Sequence, residues 1–138
     1  MQSALPEPTQ DERTMALMAH LLQIFTGFIG PLVIYFIRRQ SRFVAFHSLQ
    51  AVFWQLLVTA VSFVGVLLIM VTILAGSPQG SGPPSGGVLA VFVVFWLAMV
   101  GISLLNLVVA VYFTIKASKG EWAENPLVAS WARRAAGI

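Results

Sequence analysis

The chain has 138 residues, of which 58% are hydrophobic and only 9% charged, against roughly 25% charged in a soluble domain. That balance, with a mean hydropathy of +0.86, excludes an ordinary water-soluble fold and implies one domain whose solvent is mostly lipid. The net charge of +3 comes from basic residues clustered beside apolar runs, not from the broad basic stripe a nucleic-acid partner requires; the lack of cysteine excludes disulfides, thiolate metal sites and cysteine nucleophiles.

The opening segment carries Glu7, Asp11 and Glu12 against Arg13 alone. A secretory leader begins with positive charge, so residues 1–14 read as an extracytoplasmic N-terminal segment ahead of a retained span.

Three apolar runs follow, at Met15–Ile37, Ser48–Ala75 and Val88–Ile115, none containing Asp, Glu, Lys or Arg. About 20 helical residues cross a bilayer core, and lipid leaves backbone groups no other partners. The fold class expected is therefore an all-α membrane protein with a transmembrane domain of three helices over residues 15–115. Pro31 cannot donate to the Gly27 carbonyl, which predicts a kink in the first helix at Gly30-Pro31. Gly27 and Gly30 would let a neighbouring helix come close.

Basic residues set the orientation. Arg13 precedes the first run; Arg38, Arg39 and Arg42 follow it; Lys116, Lys119, Arg133 and Arg134 lie in the tail; and the loop over residues 76–87 has none. With three crossings, seven of the eight stand on one side, which must be cytoplasmic. The N-terminus and the Gly/Pro/Ser loop would then face outward. The localisation implied is the bacterial cytoplasmic membrane, multi-pass.

The tail, residues 116–138, contains one amphipathic stretch. Asn125 is placed to cap a helix that starts with Pro126. Wound at helical spacing, Leu127, Val128, Trp131, Ala132 and Ala135 share one face, and Arg133 and Arg134 another. This predicts a short interfacial helix on the cytoplasmic surface, its basic residues on anionic headgroups.

Polar groups within apolar runs are the usual pointers to function. His20 and Gln23 lie in the first run, Gln50 and Gln55 in the second, Asn106 in the third. His20 and His47 suggest a metal, but at 1.5 Å per residue a continuous first span separates them by roughly 25 Å. No metal site and no cofactor is expected. His47, Gln50 and Trp54 share one face of the second helix, with His47 and Gln50 directed at the first loop or headgroups. Gln55 and Asn106 stand at matching depths and are expected to hydrogen-bond across two helices. No phosphate loop, carboxylate pair or activated nucleophile is present, so an enzyme is not expected.

Specific stretches carry a resemblance. Ala19-His20-Leu21 precedes Gly30-Pro31-Leu32-Val33-Ile34-Tyr35. A basic loop leads to Phe43-Val44-Ala45-Phe46-His47-Ser48-Leu49-Gln50-Ala51, and the third run ends in Lys116-Ala117-Ser118-Lys119-Gly120-Glu121-Trp122 before Pro126-Leu127. From about Asp11 to Leu127 the chain resembles the small bacterial membrane family that includes the magnetosome proteins MamF and MmsF, a family distantly similar to the Tic-twenty subunit of the chloroplast translocon. Gln50-Ala51 departs from the charged residue and Ala-Leu-Asn common in relatives. The resemblance implies no catalytic residues. Together these readings point to a non-enzymatic accessory or scaffolding protein that assembles with itself or with other membrane chains. The alternative is an oligomeric channel or translocon-like pore subunit.

Overall fold

A computed structural model describes residues 6–76 and 85–138. The Gly/Pro/Ser loop tip expected between the last two helices lies outside the described residues. Among the described residues five helices follow in order: α1 (Gln10–Thr26), α2 (Ile29–Arg38), α3 (Arg42–Gly76), α4 (Gly86–Ser118) and α5 (Ala129–Ala136). No strand occurs among the described residues, and the fold is all-α.

α1 begins in the acidic segment, ahead of the apolar run. The Thr9 hydroxyl accepts from the Glu12 backbone N–H at 3.3 Å, and the Glu12 carboxylate accepts from the Thr9 N–H at 2.8 Å. This reciprocal cap satisfies two orphan donors, and Asp11 and Glu12 complement the helix dipole.

The first apolar run is not one kinked helix. α1 stops at Gly27, whose φ of 61° and ψ of −134° lie where essentially only glycine is comfortable. The Thr26 hydroxyl donates to the Leu22 carbonyl at 2.8 Å and accepts from the Gly30 N–H at 3.0 Å, which lashes the end of α1 to the start of α2. Gly30 has no room for a side chain: a Cβ there would lie 2.3 Å from Thr26 Oγ1 and 2.7 Å from Leu22 Cβ. Pro31 is the third residue of α2, in the first turn, where an N–H needs no intrahelical partner. The expected bend at Gly30-Pro31 is thus a break at Gly27-Phe28.

After the break the chain folds back. Arg38, the last residue of α2, lies 2.5 Å from the Asp11 carboxylate in the first turn of α1; along one continuous helix they would stand ~40 Å apart. Ala19 of α1 and Ile34 of α2 pack together with Val44 of α3. The first turn of α1 and the last turn of α2 therefore lie together, where one continuous helix would hold them far apart. Periodicity and hydropathy carry no directional information, and a hairpin of two apolar helices reads like one long span.

The two long helices cover the second and third apolar runs and extend beyond both. The chain divides into two compact units: residues up to Leu56 with Asn106–Ile138, and Leu57–Leu105. In the first unit, Ala16, Phe43 and Ala117 form one core with Trp122 against it. Phe46 and Leu49 of α3 pack with Ala129 and Ala132 of α5 in another. In the second unit, Gly65 of α3 faces the Phe95 ring of α4, while large apolar side chains such as Leu74, Val94 and Leu97 stand open.

α5 is amphipathic as expected, with a different start and a different seat. The Asn125 side-chain oxygen accepts from the Leu127 N–H at 3.0 Å in a turn, and the helix begins only at Ala129. Val128, Ala129 and Ala132 are buried in the protein instead of resting on headgroups. Small alanines fit that seat closely. Leu127 and Trp131 of the same predicted face remain exposed.

Candidate functional site

The hairpin brings His20 of α1 against His47 of α3. Their rings meet edge to face, His20 Nε2 lying 3.2 Å from His47 Nδ1. The separation argued from a continuous span is overturned, because the reversal carries His20 back toward the first loop. His47 Nε2 is in turn 3.0 Å from the Glu121 backbone carbonyl. A carbonyl can only accept, so His47 Nε2 carries a proton and donates. With both rings neutral, His47 Nδ1 accepts from the His20 Nε2–H. The remaining His20 nitrogen, Nδ1, is a lone pair that is buried and without a partner among the described residues. Its ring stacks on Phe113, centroids 5.6 Å apart.

One turn along α3, Gln50 holds the same segment after α4. Its Nε2 donates to the Ala123 carbonyl at 3.3 Å, and its Oε1 accepts from the Asn125 N–H at 2.9 Å. His47 and Gln50 therefore bond the folded-back tail, where the sequence suggested the first loop or headgroups. Residues 121–125 pair with side chains because they lack a helical ladder of their own.

Deeper in the unit, Trp54 Nε1 donates to Asn106 Oδ1 at 2.8 Å. Asn106 does bridge α3 and α4, but its partner is Trp54 and not the neighbouring Gln55. Gln55 Oε1 is buried with no partner among the described residues, and the Gln55 stem lies beside Gly27, 3.7 Å from where a Cβ would sit.

Gln23, one turn after His20 on α1, is 1% exposed, and neither amide atom has a partner among the described residues. A narrow crevice joins it to His20, Gln50, Trp54 and Asn125, too tight to admit a water molecule. Its lining contains no Asp, Glu, Lys or Arg. The site thus offers neutral donors and acceptors in an apolar setting: a network that registers three helices and a tail. Among the described residues, no cluster of three or more metal-ligating side chains is present.

The basic residues assigned to an interface divide into two sets. Arg38 pairs with Asp11, Arg133 with Glu124, and Lys116 with Glu121 at 2.6 Å. The hydrogen bond from Lys116 holds the exposed Glu121 carboxyl below its ordinary range. Arg39, Arg42 and Arg134 are exposed, and no ion pair forms to them among the described residues.

Sequence reasoning read Asn125 only as a helix cap, whereas its buried N–H donates to Gln50, and it missed Phe113, which covers His20. Trp122 and Gly120 close behind the last span were the available signal, since an aromatic near a tight turn suggests a docked segment and not a free tail.

An all-α protein with two long, apolar, largely unburied helices and a buried neutral polar network has the features of a small helical membrane protein. Residues 11–132 match the magnetosome magnetite crystal formation protein family, MamF/MmsF, and the chain belongs to that family. No curated protein and no solved structure matches it.

Proposed function

We propose that the protein is a non-enzymatic accessory or scaffolding protein of the bacterial cytoplasmic membrane, or of a membrane derived from it, that assembles with itself or with a larger complex where magnetite is formed. α3 and α4 cross the bilayer. The α1–α2 hairpin enters from one face and returns to it. The observation that carries this reading is the state of the long helices. Their most apolar windows have hydropathies of 2.7 and 2.8, and only 6% and 0% of those residues are buried by the chain itself. Surface of that kind is stable only against lipid or other apolar helices.

Charge supports the sidedness. Residues 57–105 contain no Asp, Glu, Lys or Arg, and all eight basic residues belong to the other unit. Lysine and arginine resist translocation, so that unit is assigned to the cytoplasmic face, with both the N-terminal segment and the tail. Accessory function is favoured by what the polar groups do. His47, Gln50, Trp54 and Asn106 spend their hydrogen bonds holding elements in register, leaving the exposed helix surfaces for lipid and partner chains.

Purification in gentle detergent at native expression, followed by mass spectrometry, tests the assembly. A stoichiometric partner or a discrete oligomer is expected. A clean monomer, with no partner retained under any mild condition, would contradict it. Sidedness is read separately: cysteines at Gln10, Gln40 and Ser85 should react with an impermeant maleimide in intact cells only at Ser85.

A further inference from the structure

A second cavity, of about 410 Å³, opens in the first unit between the segment before α1, the loop after α2 and the start of α3. That volume is within the range of small-ligand sites. Its lining differs from the tight crevice around His20. Glu7, Glu12 and Arg42 contribute charge, Gln40 and Ser41 contribute polar groups, and Phe43 and Trp122 contribute aromatic wall.

The charges are not equivalent. Glu12 is spent on structure: its carboxylate caps α1, and hydrogen bonds from Ser41 and Thr9 hold it below its ordinary range. Glu7 and Arg42 are different. They line the same cavity, both are exposed, and neither forms an ion pair among the described residues, although Asp11, Glu121 and Glu124 all do. One acid and one arginine that line a common space without pairing with each other leave both signs of charge available to a ligand. Arginine forks onto phosphate oxygens. A carboxylate beside a tryptophan face suits a primary ammonium.

From this juxtaposition we infer that the cavity binds a phosphoethanolamine group, its phosphodiester on Arg42 and its ammonium on Glu7 against Trp122. The assignment to lipid rests on the membrane reading above. Arg42 is the first residue of α3, whose apolar run begins within two turns, so the cavity mouth lies at headgroup level if α3 crosses the bilayer. The same chemistry is carried by soluble glycerophosphoethanolamine, and the test separates the two sources.

The full-length protein is embedded in nanodiscs of mixed phosphatidylethanolamine, phosphatidylglycerol and phosphatidylcholine, and the lipids it keeps are weighed by native mass spectrometry. Phosphatidylethanolamine should be retained preferentially. Glu7→Gln should abolish its preference over phosphatidylglycerol, and Arg42→Gln should weaken retention of every phospholipid, each effect being roughly tenfold for a lost charged hydrogen bond. Neither residue supports a cap or a core, so both variants should fold like the parent by circular dichroism, and Glu124→Gln, whose carboxylate serves Arg133, should leave selectivity unchanged. Binding of glycerophosphoethanolamine to detergent-solubilised protein without selective lipid retention would assign the free zwitterion as ligand. Equal retention of the three lipids together with no binding of the soluble headgroup overturns the inference. So does a phosphatidylethanolamine preference that survives both substitutions. A chain that cannot be embedded at all contradicts the membrane reading instead.

Discussion

His20 Nε2 stands 3.2 Å from His47 Nδ1, deep between α1 and α3. The two rings and the Glu121 carbonyl form one directed chain of hydrogen bonds: His20 donates to His47, and His47 donates to the tail. Nitrogen chemical shifts should show both rings neutral and protonated at Nε2. His47→Ala removes the partner of a buried N–H and of a backbone carbonyl at once. A loss of about 2–4 kcal/mol is expected in thermal or denaturant unfolding in detergent. The double variant with His20→Ala should lose less than the sum of the two single losses, since paired residues are coupled.

The hairpin turn makes a sharp contrast among glycines. A Cβ at Gly30 meets Leu22 Cβ and Thr26 Oγ1 well inside contact distance, whereas a Cβ at Gly101 meets nothing within 4 Å. Gly30→Ala should cost about 1–3 kcal/mol, as overpacking does. Gly27→Ala should cost a similar ~1–3 kcal/mol through backbone strain. Gly101→Ala, inside exposed α4, should be neutral or slightly stabilising by helix propensity. Melting temperatures of the three variants in one detergent check the order.

The polar pairs across α3 and α4 are separated by a third comparison. Asn106→Leu strips the Trp54 indole N–H of its acceptor and should cost about 1 kcal/mol, the scale of an interhelical bond in a membrane protein. Gln55→Leu removes a buried oxygen that bonds nothing among the described residues, and should cost nothing or stabilise. The reverse ranking in an unfolding assay would mean that Gln55 is the true partner.

At the start of α1 the effect is electrostatic. Hydrogen bonds from Ser41 and Thr9 lower the Glu12 carboxyl below its ordinary 4.5. A depressed carboxyl stabilises the folded state above its unfolded pKa, and that contribution is lost as pH falls through the folded value. α1 amides should therefore lose hydrogen-exchange protection as pH falls below about 4.5. In Glu12→Gln this acid-dependent loss should disappear. Thr9→Ala should cost about 1 kcal/mol at neutral pH through the lost cap.

Much of the fold is legible in the chain itself. The apolar runs ending in Ala75 and Ile115 appear as α3 and α4 because length and hydropathy leave a helix no competitor. Gly27, Gly30 and Pro31 are legible as a disruption, but not as a reversal: the same three residues can bend a helix or end it, and the choice depends on Thr26 bonding to both Leu22 and Gly30 and on Arg38 finding Asp11. That hidden reversal also concealed the site. His20, Gln23, His47 and Gln50 are recognisable as polar residues out of place, yet the groups on residues 121–125 that His47 and Gln50 bond are backbone groups, which no side-chain pattern announces. The face of α5 is readable from spacing. Whether lipid or Phe46 and Leu49 cover it depends on where the tail returns.

The fold-back of the first apolar run is tested most directly by the distance between nitroxide labels on the exposed residues Thr14 and Ile37, measured by double electron–electron resonance in lipid nanodiscs. Helices packed in a hairpin lie 8–10 Å apart, which places the labels within about 20 Å of each other. A dominant population near 35 Å, the length of one continuous helix over those positions, would contradict the hairpin, the His20–His47 contact and the assignment of the N-terminal segment to the cytoplasmic face.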